Sequence, residues 1–128
     1  MFTMSGAAIT WSSKMQPIVA LSTTEAEYIS LSHAAQEAIY LGNFFEELRF
    51  PEYKTITMYE DNMGALQLVS NKIYPARTKH IGVRFHFLRD LVQDNKIILQ
   101  HVSTVNQLAH VLTKFLPLPR FQFLRSVI

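Results

Sequence analysis

The sequence predicts a mixed α/β domain with helices packed on a sheet. Three patterns carry that prediction: short runs with period-two alternation, a long segment with apolar residues at helical spacing, and signals in the order ββαβααβα. The 128 residues suit one domain, and 48% of them are apolar, enough to bury a core unaided. There is no cysteine, which removes disulfide frameworks, cysteine-ligated zinc and cysteine nucleophiles. No apolar run approaches the roughly 20 residues of a membrane span. Met1 to Gly6 lacks the basic-then-apolar pattern of a signal peptide, so an intracellular, non-membrane protein is expected.

Each element has a local reason. Ala7 to Ser13 reads as a strand, Gln16-Pro17 breaks it, and Ile18 to Leu21 reads as a short second strand. Residues before Ala7 read as no full strand of their own. Ser22 to Phe50 carries the strongest helical signal. Ser22-x-x-Glu25 and Thr24-x-x-Glu27 both fit a capping box, Leu31, Ala34, Ala38, Leu41 and Phe45 form the stripe behind them, and Pro51 closes the helix. Thr55 to Glu60 alternates as a strand. Asp61-Asn62 ends it and caps a helix to about Val69. Asn71 to Ala76 is a loop, and Thr78 to Asp94 is helical, with Ile81, Phe85, Leu88 and Val92 on one face. Ile97 to Val102 is a strand, and Ser103 or Thr104 caps a short helix to about Lys114. With two prolines, Phe115 to Arg120 reads as irregular. No linker divides the chain, so residues 1–114 are taken as the domain and 115–128 as a C-terminal tail.

Charge is unevenly placed. Between residues 25 and 61 eight acids face two bases, a balance of −6; from residue 62 onward nine bases face two acids, a balance of +7. A fold joining these halves would set carboxylates beside a cationic surface, an arrangement suited to metal ions and a phosphate-bearing ligand.

Two carboxylates stand out. Glu27 lies four residues before Leu31 and shares the apolar stripe of its helix, where a charge needs a metal, a base or a helix N-terminus. The plainer reading is a first-turn acid favoured by the helix dipole. Asp61 follows a strand and precedes a helix, the position where α/β folds collect ligands; the plainer reading there is an ordinary N-cap. Together the pair could hold Mg²⁺ with water and substrate phosphates. Arg77, Lys79 and His80, followed by Arg84, His86 and Arg89, form a basic helix start, with Lys79 and His86 seven apart on one face. It suits phosphate contact, or is a solvated basic face. Trp11 and His33 read as packing residues rather than ligands. GxxxxGK[ST], GxGxxG, HExxH and GxSxG are all lacking.

Longer blocks are more specific. Ile9 to Pro17, Val19 to Tyr28, Tyr59-Glu60-Asp61-Asn62, Arg77-Thr78-Lys79-His80-Ile81, Phe85 to Arg89 and Asn106 to Lys114 strongly resemble the ribonuclease H domain of copia-type LTR retrotransposon polyproteins, in order and across nearly the whole chain. The resemblance implies a ribonuclease H-like fold, a mixed sheet with flanking helices. It also implies two-metal hydrolysis of the RNA strand of an RNA/DNA hybrid, with Mg²⁺ (or Mn²⁺) held by four carboxylates. It places the second carboxylate at Glu27 and the third at Asp61, and so makes both metal-site positions.

Two departures accompany it. The strand that carries the family's first aspartate has no counterpart here, so the first strand is missing. The fourth carboxylate position is His110, whose imidazole suits Zn²⁺ or Cu²⁺ better than Mg²⁺. The expectation is therefore an impaired nuclease that retains nucleic-acid binding. The alternatives are an active enzyme using Glu25, Glu60 or His110 as substitute ligand, and a non-catalytic interaction module presenting its tail, Leu116 to Ile128. A missing strand would also leave an open sheet edge through which two copies could pair as a homodimer.

Overall fold

A computed structural model of the chain describes residues 1–71 and 82–128. It is mixed α/β, as the sequence predicts. The chain divides into two compact units, Met1–Val19 with Ser103–Ile128, and Ala20–Val102. Each has its own two-stranded sheet rather than a share in a single one.

In the first unit, β1 (Phe2–Met4) pairs antiparallel with β2 (Ala7–Thr10). Ser5 and Gly6 form the two-residue connection, with φ of 52° and 80°. Two successive positive φ values give the hairpin the twist its strands need, and glycine carries the second at no steric cost. The sequence reading has no full strand before Ala7, because a three-residue run is too short to show alternation. The chain closes with a 3₁₀ turn, Leu108–Leu112, and a helix α4 (Leu118–Ser126). Both correct the sequence expectation. The short helix to Lys114 is only the 3₁₀ turn. The tail is helical from Leu118, because Pro119 sits in the first turn, where a missing N–H costs nothing.

The second unit holds most of the buried core. Helix α1 (Thr23–Glu47) begins as the capping pair predicts: Ser22 accepts the Glu25 N–H at 3.1 Å, and the Glu25 carboxylate accepts the Leu21 N–H at 2.9 Å. The helix closes before Pro51: Arg49, just past the Leu48 cap, has a φ of 66° that lets the Arg49 and Phe50 N–H groups reach back to the Glu46 and Phe45 carbonyls. Ile18 to Leu21, expected as a strand, has no ladder partner among the described residues, and Val19 and Leu21 are exposed. An apolar run makes a strand only where another strand accepts its hydrogen bonds.

Strand β3 (Ile56–Glu60) pairs in parallel with β4 (Ile97–His101), from Ile56 opposite Ile97 to Glu60 opposite His101. Between them in sequence lie α2 (Met63–Ser70) and α3 (Gly82–Gln93). The helices α1, α2 and α3 pack against one another and on the β3–β4 pair. Tyr28, Ile29, Leu31, Ala35 and Ala38 of α1 meet a core completed by Met58, Ala65, Phe85, Leu88 and Ile97, all buried. The expected stripes on α1 and α3 are thus real at Leu31, Ala38, Leu41, Phe85 and Leu88, while Ile81 lies outside the described residues.

Candidate metal centre

The N-termini of α1 and α2 approach closely. A Cβ on Gly64 would lie 2.9 Å from Thr24 Oγ1 and 3.1 Å from its Cγ2, so the missing side chain is what allows the approach. Glu27, on the second turn of α1, is thereby brought to the C-terminal end of β3. There Glu60 ends the strand and Asp61 follows it. Glu27, Glu60 and Asp61 each offer a carboxylate oxygen, and these oxygens lie within 4.8 Å of one another.

The local roles divide cleanly. Asn62, not Asp61, is the N-cap of α2, its Oδ1 accepting the Ala65 N–H at 3.0 Å. The plainer reading of Asp61 as the cap is therefore set aside. The Asn62 N–H also donates to Glu60 Oε1 at 2.9 Å, and the Glu60 carbonyl accepts the Val102 N–H at 3.1 Å. Glu60 is only 5% exposed. Burial pushes its carboxyl up to about 7; the Asn62 N–H opposes that shift, and the charges of Glu27 and Asp61 add to it.

Three hard oxygen donors, one of them buried and resisting ionisation, fit a divalent cation of the Mg²⁺ or Mn²⁺ kind better than a soft metal. A cation there would relieve both the desolvation and the mutual repulsion.

The other candidate residues are not among the three that form this cluster. Glu25 is buried and serves the α1 cap. His110 belongs to the first unit. It is buried, with Nδ1 3.5 Å from the Arg120 guanidinium. Arg77, Lys79 and His80 lie outside the described residues. Arg84 and Arg89 are half-buried and His86 is exposed on α3. Arg89 is held locally: its guanidinium lies 4.4 Å from the Phe85 ring centroid and donates to the Asn71 carbonyl. The ring of Trp11, which the sequence assigns to the core, is 63% exposed. The sequence names Glu60 only as a substitute ligand. Its alternation with the buried Met58 is the signal that turns it inward.

The geometry defines an α/β protein with an acidic cluster at a strand end. Comparison with known proteins gives the origin: its homologues are plant retrovirus-related Pol polyproteins from transposons. The chain is 42% identical over 128 residues, its whole length, to the retrovirus-related Pol polyprotein from transposon TNT 1-94 of Nicotiana tabacum. It is 40% identical over 120 residues, 94% of the chain, to that from transposon RE1 of Arabidopsis thaliana. The transposon Ty1-DR5 Gag-Pol polyprotein of Saccharomyces cerevisiae is 28% identical over 128 residues. The chain spans 10%, 8% and 7% of the length of these three relatives. No family model and no solved structure matches it.

Proposed function

We propose that this chain is a ribonuclease H-like segment of a copia-type retrotransposon Pol polyprotein, acting inside the cell. Its ancestral reaction is hydrolysis of the RNA strand of an RNA/DNA hybrid. Here catalysis is impaired and nucleic-acid binding is retained. The observation that carries this reading is the convergence of Glu27 and Asp61, the two positions that the resemblance marks, with their carboxylate oxygens within 4.8 Å. Support for the impairment comes from the sequence: His110 stands where the resemblance puts the fourth carboxylate.

A bound Mg²⁺ or Mn²⁺ would supply charge stabilisation and an activated water. Glu27, Glu60 and Asp61 would hold it. The basic stretch at Arg77, Lys79, His80, Arg84, His86 and Arg89 would take the phosphates of the hybrid, a contact that weakens as salt rises. The homodimer belongs to the same reading. Strand β3 pairs with β4 along one edge, and its other edge carries no strand among the described residues. Light scattering that shows a stable monomer at high concentration removes the dimer.

One observation favours a second reading, an active nuclease. Glu60 joins the two family positions and restores a third carboxylate. A labelled RNA/DNA hybrid incubated with the 128-residue chain and Mg²⁺ or Mn²⁺ separates the two. Binding with no more than trace cleavage upholds the impaired nuclease. Cleavage that is lost in both Asp61→Asn and Glu60→Gln upholds the active one. If the chain neither binds nor cleaves, both are wrong and it is an interaction module.

A further inference from the structure

The unit formed by Met1–Val19 and Ser103–Ile128 contains Lys14, Lys114, Arg120 and Arg125 and not one Asp or Glu. All ten acidic side chains of the protein lie in the other unit. Within the basic unit hydrogen bonds join its two distant stretches: the Ala8 N–H donates to the Ile128 carbonyl at 3.3 Å, and Ser13 Oγ donates to the Leu112 carbonyl oxygen at 3.1 Å, across 99 residues. Trp11 and Lys14 flank Ser13, and Lys114 and Phe115 follow Leu112. Each of the four is within three residues of the Ser13–Leu112 bond, at most about 11 Å of chain.

All four side chains face solvent, Trp11 at 63% and Phe115 fully. Two large rings thus stand open to solvent on the same two joined stretches as the two lysines, although exposing such rings to water is unfavourable.

Arg120 adds an internal cation. It is half-buried in the first turn of α4, where the positive end of the helix dipole disfavours it. One amino group donates to the Thr104 carbonyl and lies 3.5 Å from His110 Nδ1, while its Nε is buried with no hydrogen-bond partner. The unit itself supplies no carboxylate side chain to balance these cations, and an anionic ligand would supply that charge.

We propose that this unit binds single-stranded nucleic acid, with Trp11 and Phe115 stacking on bases and Lys14, Lys114 and Arg120 taking phosphates. Charge alone would accept any polyanion. The exposed rings choose among them, because only unpaired bases present free faces for stacking. The inference goes beyond the nuclease reading and does not depend on it, since it uses neither the carboxylates nor the basic helix.

Trp11 is the only tryptophan, so its emission reports on this surface. Titrating the 128-residue chain with a short oligothymidylate, without divalent cations, should quench that emission with an affinity that falls as salt rises. The double variant Lys14→Gln/Lys114→Gln should lower the slope of log affinity against log salt by about 1.4, roughly 0.7 for each phosphate left without its lysine. Phe115→Ala should weaken binding roughly tenfold and leave that slope unchanged. Three results would overturn the proposal: unquenched Trp11 at saturating oligothymidylate, equal quenching by polyglutamate, or tighter binding of a duplex than of the single strand. Polyglutamate quenching would reassign the surface to an acidic peptide. Because no cleavage is read, failure here leaves the nuclease reading standing, and failure of hybrid cleavage leaves this proposal standing.

Discussion

The Tyr28 hydroxyl donates to the Phe85 carbonyl oxygen at 3.3 Å, and the two rings stack with centroids 6.1 Å apart. Both residues are essentially fully buried. This double link fixes the rotation of α1 against α3, and with it the direction in which Glu27, the preceding residue, points. Tyr28→Phe keeps the stacking and removes one buried hydrogen bond, so it should cost about 1 kcal/mol in denaturant unfolding. Phe85→Ala removes the ring and leaves a cavity, and should cost about 3–5 kcal/mol. Equal losses in the two variants would show that the hydroxyl, not the packing, carries the contact.

A second expectation concerns the end of α1. Arg49 occupies the left-handed region with φ of 66°, closing the helix by the hydrogen bonds that glycine usually permits there. A side chain in that conformation costs roughly 1 kcal/mol. Arg49→Gly should therefore stabilise the protein by about that amount, seen as a raised melting temperature. A lowered one would mean that the Arg49 side chain contributes more than its backbone costs.

How much of this was legible in the sequence depends on whether the signal was local. Helix α1 was, because Ser22 and Glu25 cap it within four residues and its buried stripe repeats at helical spacing. So was the parallel pair in outline, since Thr55 to Glu60 and Ile97 to Val102 are apolar runs between helices. Ile18 to Leu21 carries the same apolar signal and forms no strand, because pairing depends on a partner that local pattern does not supply. Helix α4 was hidden by Pro117 and Pro119, which break a helix interior but suit its first turn. At the carboxylate cluster, the apolar stripe and the strand end single out Glu27 and Asp61 only beside plainer readings, and it is the resemblance that marks both as metal-site positions. Glu60 needed one further step, its alternation with Met58. The exposure of Trp11 was not legible, since composition alone places a tryptophan inside.

Gly64 tests how the cluster is assembled. Its missing side chain lets α2 start against Thr24 of α1, with both γ atoms of Thr24 within 3.1 Å of where a Cβ would stand. Gly64→Ala should push the two helix starts apart and cost roughly 1–3 kcal/mol. It should also weaken Mn²⁺ binding, read by calorimetry, more than a destabilisation of the same size elsewhere, such as Tyr28→Phe. Unchanged Mn²⁺ affinity in the folded Gly64→Ala protein would show that the carboxylates do not depend on this approach.

The titration of Glu60 gives the sharpest test of the cluster. Its carboxyl is raised from 4.5 to about 7, first by burial and then by the charges of Glu27 and Asp61. Between those values the unfolded chain has released the proton that the folded protein still holds, so unfolding releases a proton and stability falls as pH rises. The contribution is complete below pH 4.5 and is lost as pH passes through about 7, amounting to a few kcal/mol. Glu60→Gln carries no such charge. Its melting temperature should therefore gain on that of the wild-type protein from pH 4.5 to about 7 and hold a constant lead above. A divalent cation that binds the ionised cluster reverses the trend, because it favours the charged form. With Mg²⁺ or Mn²⁺ in excess, the wild-type protein should recover stability at pH 7 and above, while Glu60→Gln gains less. If the wild type and Glu60→Gln keep a constant difference across the whole range, Glu60 is not the buried, reluctant acid that its surroundings require.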